Sequence, residues 1–144
     1  MIGSALLLAF LSPVTLDAAD SLYVCPAEIA ASWDIPSVPD GWETLGATAV
    51  VRHWLRSATF SDGHPRGQAF LKPYSASANA PGKKGTRREV YRFPAEYPDG
   101  IWLVCRYHDT PAIVFKRLPE TPRSCEVAQS PKAGSQLEQT IRCR

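Results

Sequence analysis

Residues 97–107, YPDGIWLVCRY, decide the fold, because a turn signal there runs straight into a strand. Pro98-Asp99-Gly100 is tight-turn chemistry: proline fixes φ, and glycine takes φ > 0 without steric cost. In the strand that follows, successive side chains alternate, so Ile101, Leu103, Cys105 and Tyr107 share one face while Trp102, Val104 and Arg106 share the other. A cysteine on an otherwise apolar face is a core cysteine, and in an oxidising compartment a bonded one. After His108-Asp109-Thr110-Pro111 the chain returns as AIVFKRL, which sets Trp102 opposite Arg117 as a cation over a π-face. Trp102 is expected to be buried in the sheet, and the stretch reads as scaffold rather than as a chemical site.

Outward from this strand the same pattern repeats. Candidate strands are Leu22–Ile29, Val50–Phe60, Gln68–Lys72, Arg88–Phe93, Ile101–Tyr107, Ala112–Leu118, Ser124–Gln129 and Gln139–Cys143. They are short, evenly spaced and separated by turn-forming residues, the pattern of a small antiparallel sandwich or barrel. Helical periodicity is weak, and 13 prolines leave few windows of helix length. A helix is expected at Ala27–Trp33 or Trp42–Val51, if anywhere. The fold class is all-β, mainly antiparallel and disulfide-stapled, with little helix. Between Pro73 and Arg88, PYSASANAPGKKGTRR is small, polar and basic and reads as a long mobile loop.

The chain has 144 residues, enough for one domain with a real core; 44% are hydrophobic and 21% charged, a globular composition. The formal charge of +2 is too small to imply nucleic acid as the partner. Residues 1–19, MIGSALLLAFLSPVTLDAA, are apolar from Ile2 to Leu11 and uncharged in their side chains until Asp17. That run is shorter than the roughly 20 residues that span a bilayer and suits a secretory signal. A basic n-region is missing, and Leu16-Asp17-Ala18-Ala19 is an imperfect cleavage site. The mature part, residues 20–144, is expected to be a single β domain, periplasmic or secreted. All four cysteines lie there, which predicts two disulfides rather than a metal site, since no C-x-x-C pair is present. A hairpin centred on Gly134 places Cys125 opposite Cys143, leaving Cys25 to pair with Cys105.

Enzyme signatures are missing: no G-x-S-x-G, H-E-x-x-H, P-loop or G-x-G-x-x-G occurs. His53, His64 and His108 are scattered, and Cys105 beside His108 is no nucleophile once bonded. No catalytic residue, metal or cofactor is expected. The strongest surface feature is the basic run with Lys83, Lys84, Arg87 and Arg88. It reads either as solvated surface or as the contact for an acidic protein partner. A membrane surface stays open as a target, while nucleic acid is disfavoured because no aromatic platform surrounds the run.

CPAEI at 25–29, PDGW at 39–42, ATFSDGHP at 58–65, IWLVCRY at 101–107, LP followed by CEV at 118–127 and the closing IRCR form an ordered set. This set resembles a family of small exported bacterial proteins of unassigned function, some encoded near secretion systems that deliver toxic effectors. The resemblance spans nearly all of the mature chain and implies export and a disulfide-stapled β fold, but supplies no catalytic residue. Two function classes follow: a non-catalytic binding protein that inhibits, or gives immunity to, an antagonistic enzyme, and an envelope accessory or structural protein without inhibitory role.

Overall fold

The computed structural model describes residues 20–32, 39–41, 50–77, 85–133 and 136–144. The expected signal segment, Trp33, Trp42, Gly134 and the lysines Lys83 and Lys84 lie outside them. The strands are β1 (Ser21–Tyr23), β2 (Glu28–Ala31), β3 (Val51–Asp62), β4 (Ser75–Ser77), β5 (Arg87–Arg92), β6 (Ile101–Tyr107), β7 (Ile113–Arg117), β8 (Ser124–Pro131) and β9 (Leu137–Cys143). They form two antiparallel sheets, one ordered β1-β9-β8-β5-β4 and the other β2-β3-β6-β7. The fold is all-β, as the alternation and turn spacing predict.

Strand β6 coincides with the segment read from the sequence, and its expected inward residues are buried, but Val104, expected on the outer face, is fully buried as well. Ile101, Leu103, Cys105 and Tyr107 join the core with Leu55, Ala58 and Phe60 of β3. The opposing sheet contributes Tyr91, Cys125, Val127, Ile141 and Cys143. Phe60 joins the layers, its ring edge-on to Tyr91 at 4.9 Å and to Phe93 at 5.4 Å between centroids. Gly100 takes φ 75°, and a Cβ there would meet Arg117 Nε at 2.7 Å. The turn therefore needs glycine both for its conformation and for the close approach of that arginine.

Two disulfides staple this framework. Cys125 faces Cys143 across the β8–β9 ladder, with 4.1 Å between their Cα atoms. Cys25 joins Cys105 with Cα atoms 5.8 Å apart, tying the β1–β2 connection to the central strand of the other sheet. No free cysteine is found among the described residues.

Several expectations are corrected. The strand expected over Leu22–Ile29 breaks at Cys25-Pro26, so that β1 pairs with β9 in one sheet and β2 with β3 in the other. Proline cannot donate to a ladder, and the disulfide fixes the crossing point. Residues 28–31 are extended, which rules out a helix over Ala27–Trp33; most of Trp42–Val51 falls outside the described residues. In place of a strand over Gln68–Lys72 there is a single bridge from Phe70 to Ser61, after a 3₁₀ turn at Pro65–Gly67. The loop expected near 73–88 is strand at both ends, and residues 78–84 lie outside the described residues. Ser75–Ser77 pairs with β5, and Arg87 and Arg88 are themselves strand residues paired with β8. Basic composition suggested a loop, but carboxylates beside these arginines let the strand carry them.

Burial pushes the Tyr91 phenol above its ordinary 10.0, with the Glu89 carboxylate acting in the same direction and the Thr59 hydroxyl and Arg87 opposing. Tyr107 is raised by burial alone. In both, the fold favours the protonated phenol. Their stabilisation is complete below the unfolded value near 10 and is lost as pH rises through the higher folded values. Denaturant midpoints should hold steady from about pH 8 to pH 9.5 and fall toward about pH 11, less steeply in the Tyr91→Phe, Tyr107→Phe double variant.

Candidate functional site

The expected partner contact divides. Arg87 donates to Glu89 Oε1 at 2.5 Å, and Arg88 is ion-paired with Glu126. Glu89, itself buried, also accepts from the Tyr91 hydroxyl at 3.2 Å. These two arginines are thus spent on carboxylates within their own sheet.

A second surface was not read from the sequence. On the face of β6 opposite the core, Trp102 is half-buried and meets two further rings. His64 lies 4.9 Å from it and Phe115 5.9 Å, while His64 and Phe115 are 5.0 Å apart, all edge-on. Each ring comes from a different segment. His64 is held at the start of the 3₁₀ turn, where its Nδ1 accepts from the Arg66 amide at 3.2 Å. Trp102 is held by its indole N–H, which donates to the Asp99 carbonyl at 3.3 Å. Phe115 is fixed by the β6–β7 register, which also sets Trp102 beside Arg117 as the sequence predicts.

The expected burial of Trp102 is corrected here: the indole is half-buried and packed edge-on against His64 and Phe115, whereas Val104, two residues on along the same face, is fully buried. The expected stacking partner differs too, since the Arg117 guanidinium lies against Gly100. The cation–π contact on this sheet is instead Arg106 over Phe70, at 4.4 Å. Among the described residues Arg66, Arg106, Lys116 and Arg117 take part in no salt bridge. The result is an aromatic cluster bordered by uncompensated cations, a composition enriched at protein interfaces.

The three histidines form no catalytic group. His53 is buried and its Nδ1 is 2.9 Å from the His108 carbonyl, a contact that fixes the ring within the scaffold. Among the described residues no cluster of His, Cys, Asp or Glu is arranged to hold a metal, and no helix is long and apolar enough to cross a membrane.

Comparison with known proteins follows the same line. The chain is 30% identical over 112 residues to an uncharacterized 16.3 kDa protein in the trpG 5' region of Azospirillum brasilense, covering 76% of this chain and 72% of that one. No solved structure matches it. The family model for the type VI secretion system Tli immunity protein matches residues 48–144, which hold β3 through β9, both ring-bearing strands and three of the four bonded cysteines. The chain therefore belongs to the type VI secretion system Tli immunity protein family, whose members are non-catalytic and act against an antagonistic effector by binding it.

Proposed function

We propose that the protein neutralises its effector in the periplasm by holding it against the outer face of the β2-β3-β6-β7 sheet, with Trp102 at the centre of the contact and an acidic effector surface opposite. The carrying observation is the cluster of His64, Trp102 and Phe115 on that face, with Arg117, Arg106 and Arg66 taking part in no salt bridge among the described residues. Large aromatics and arginines dominate hot spots because they bury much area at little entropic cost. Unpaired cations at the rim speed capture of an acidic partner and reject basic ones. The compartment is supported by the two disulfides, which form and persist under oxidising conditions, and by the signal-like residues 1–19. The basic run Lys83, Lys84, Arg87 and Arg88 is the second proposed contact; its two arginines, already facing Glu89 and Glu126, contribute less.

The test is titration of the wild type, Trp102→Ala and Arg117→Glu against the effector recovered by pull-down with this protein, in an inactivated form. Trp102→Ala should weaken binding at least about thirtyfold, equivalent to roughly 2 kcal/mol. Arg117→Glu should weaken it most at low salt, because screening removes a surface charge effect. Unchanged affinity in both variants would move the contact elsewhere.

A further inference from the structure

Among the described residues β1 and β7 are edge strands of their sheets, and they face each other along one side of the sandwich. Between them runs a groove of about 330 Å3, lined by Leu22 and Val24 on one wall, Val114, Phe115 and Lys116 on the other, and Leu103 on its floor. Its walls are unusually apolar for exposed surface: Leu22 is 64% exposed, Val24 73%, Val114 37% and Phe115 38%.

The backbone of β7 is poised in the same direction. The Leu118 amide donates to the Ile101 carbonyl. With the register Trp102 to Arg117, Leu103 to Lys116 and Cys105 to Val114, antiparallel alternation turns the amides and carbonyls of Lys116 and Val114 toward β6. Those of Ile113, Phe115 and Arg117 then point away from β6, along the free edge. Proteins normally blunt such an edge, since it templates pairing with other chains.

Here the guard is Lys116, a cation set into the groove wall with no salt-bridge partner among the described residues. The whole segment Ala112–Leu118 carries Lys116 and Arg117 and no carboxylate. A second copy of β7 would bring its own Lys116 and Arg117 to this edge and no carboxylate to meet the first copy's Lys116. An apolar strand bearing a carboxylate would instead satisfy both the groove and the charge.

We infer that the open edge of β7 receives an extended, apolar and acidic segment of the effector as an added strand, which closes the groove against β1 and is selected by Lys116. This rests on the binding reading above and extends it, because Phe115 borders both the groove and the Trp102 cluster. Main-chain bonds from Phe115 and Arg117 would supply affinity, and the groove and Lys116 specificity, the division usual in strand addition.

The experiment uses the full chain and the same inactivated effector. Amide exchange of the wild type, free and bound, reads the edge directly: Ile113, Phe115 and Arg117 should gain protection only in the complex. Phe115→Pro removes an outward amide and blocks the edge, while Phe115→Val keeps that amide; the proline variant should bind at least about tenfold more weakly than the valine one. Lys116→Glu should weaken binding, most at low salt. If the wild type binds, these amides exchange as before and the two Phe115 variants bind alike, strand addition is wrong while the binding reading stands. Protection without effector, in a protein that sediments as a dimer, would make a second copy the occupant. Failure of the wild type to bind would overturn the underlying reading itself.

Discussion

Replacing Cys25 and Cys105 together by alanine should lower the unfolding free energy by about 4–5 kcal/mol on the chain-entropy model, a large part of the roughly 5–15 kcal/mol that holds a domain of this size. The bridge closes a loop of 80 residues, whereas Cys125–Cys143 closes one of 18 and should be worth about 3 kcal/mol. The position of the longer bridge adds to its effect. It crosses from the β1–β2 connection to β6, and Tyr107 donates to the Pro26 carbonyl at 3.1 Å beside it. Without the bridge, β1 is held mainly by a three-residue ladder to β9. Equilibrium urea unfolding of the two double variants checks the ranking: the Cys25, Cys105 variant should have the lower midpoint. An inverted order would show that the cross-strand bridge restrains the unfolded chain more than loop length implies. The groove between β1 and β7 should open in the same variant, which couples this staple to the proposed strand addition.

Most of the scaffold was legible because it follows from local rules. Ile101–Tyr107 stands between a Pro-Asp-Gly turn and a polar turn, so its bounds, its inward face and its hairpin partner could all be read, although Val104 on the other face is buried too. The Cys125–Cys143 pair followed from one hairpin, and the second bridge from what remained. Errors came where two elements competed for one run of sequence. Ser-Leu-Tyr-Val-Cys-Pro-Ala-Glu-Ile is continuous in composition, yet its two ends belong to different sheets, because Cys25 has to reach Cys105. Arg88 read as loop because its neutralising carboxylate is visible only once register is known, Glu126 lying 38 residues away along the chain, while the partner of Arg87 is the nearby Glu89.

The candidate site was illegible for the same reason. His64, Trp102 and Phe115 lie on separate segments, and nothing local says that they meet on the outer face of their sheet. One signal was available: Trp102 has the opposite strand parity to the bonded Cys105, so core and tryptophan could not share a face. Family membership then gives that cluster its meaning, since an immunity protein has to present a surface as well as build a core.

That separation of core from surface yields the other large effect. Phe60 is fully buried, packs edge-on against Tyr91 and Phe93 and is paired in register with Leu103, whereas Trp102 is paired with the neighbouring Ser61 and points outward. Phe60→Ala should therefore cost about 3–5 kcal/mol, the lost transfer energy of the ring plus the cavity left between the sheets. Neighbouring rings cannot collapse into that space, because Cys25–Cys105 and Cys125–Cys143 pin the strands on either side. Trp102→Ala removes a larger side chain yet should cost only about 1–2 kcal/mol, chiefly its edge contacts with His64 and Phe115. Binding should rank the two oppositely: Phe60→Ala, measured well below its melting temperature, should retain near-normal affinity for the effector, and Trp102→Ala should lose most of it. Thermal melts and titrations of the same two preparations decide the matter. If Trp102→Ala destabilises as much as Phe60→Ala while binding is untouched, the indole is core and the outer sheet face is not the contact.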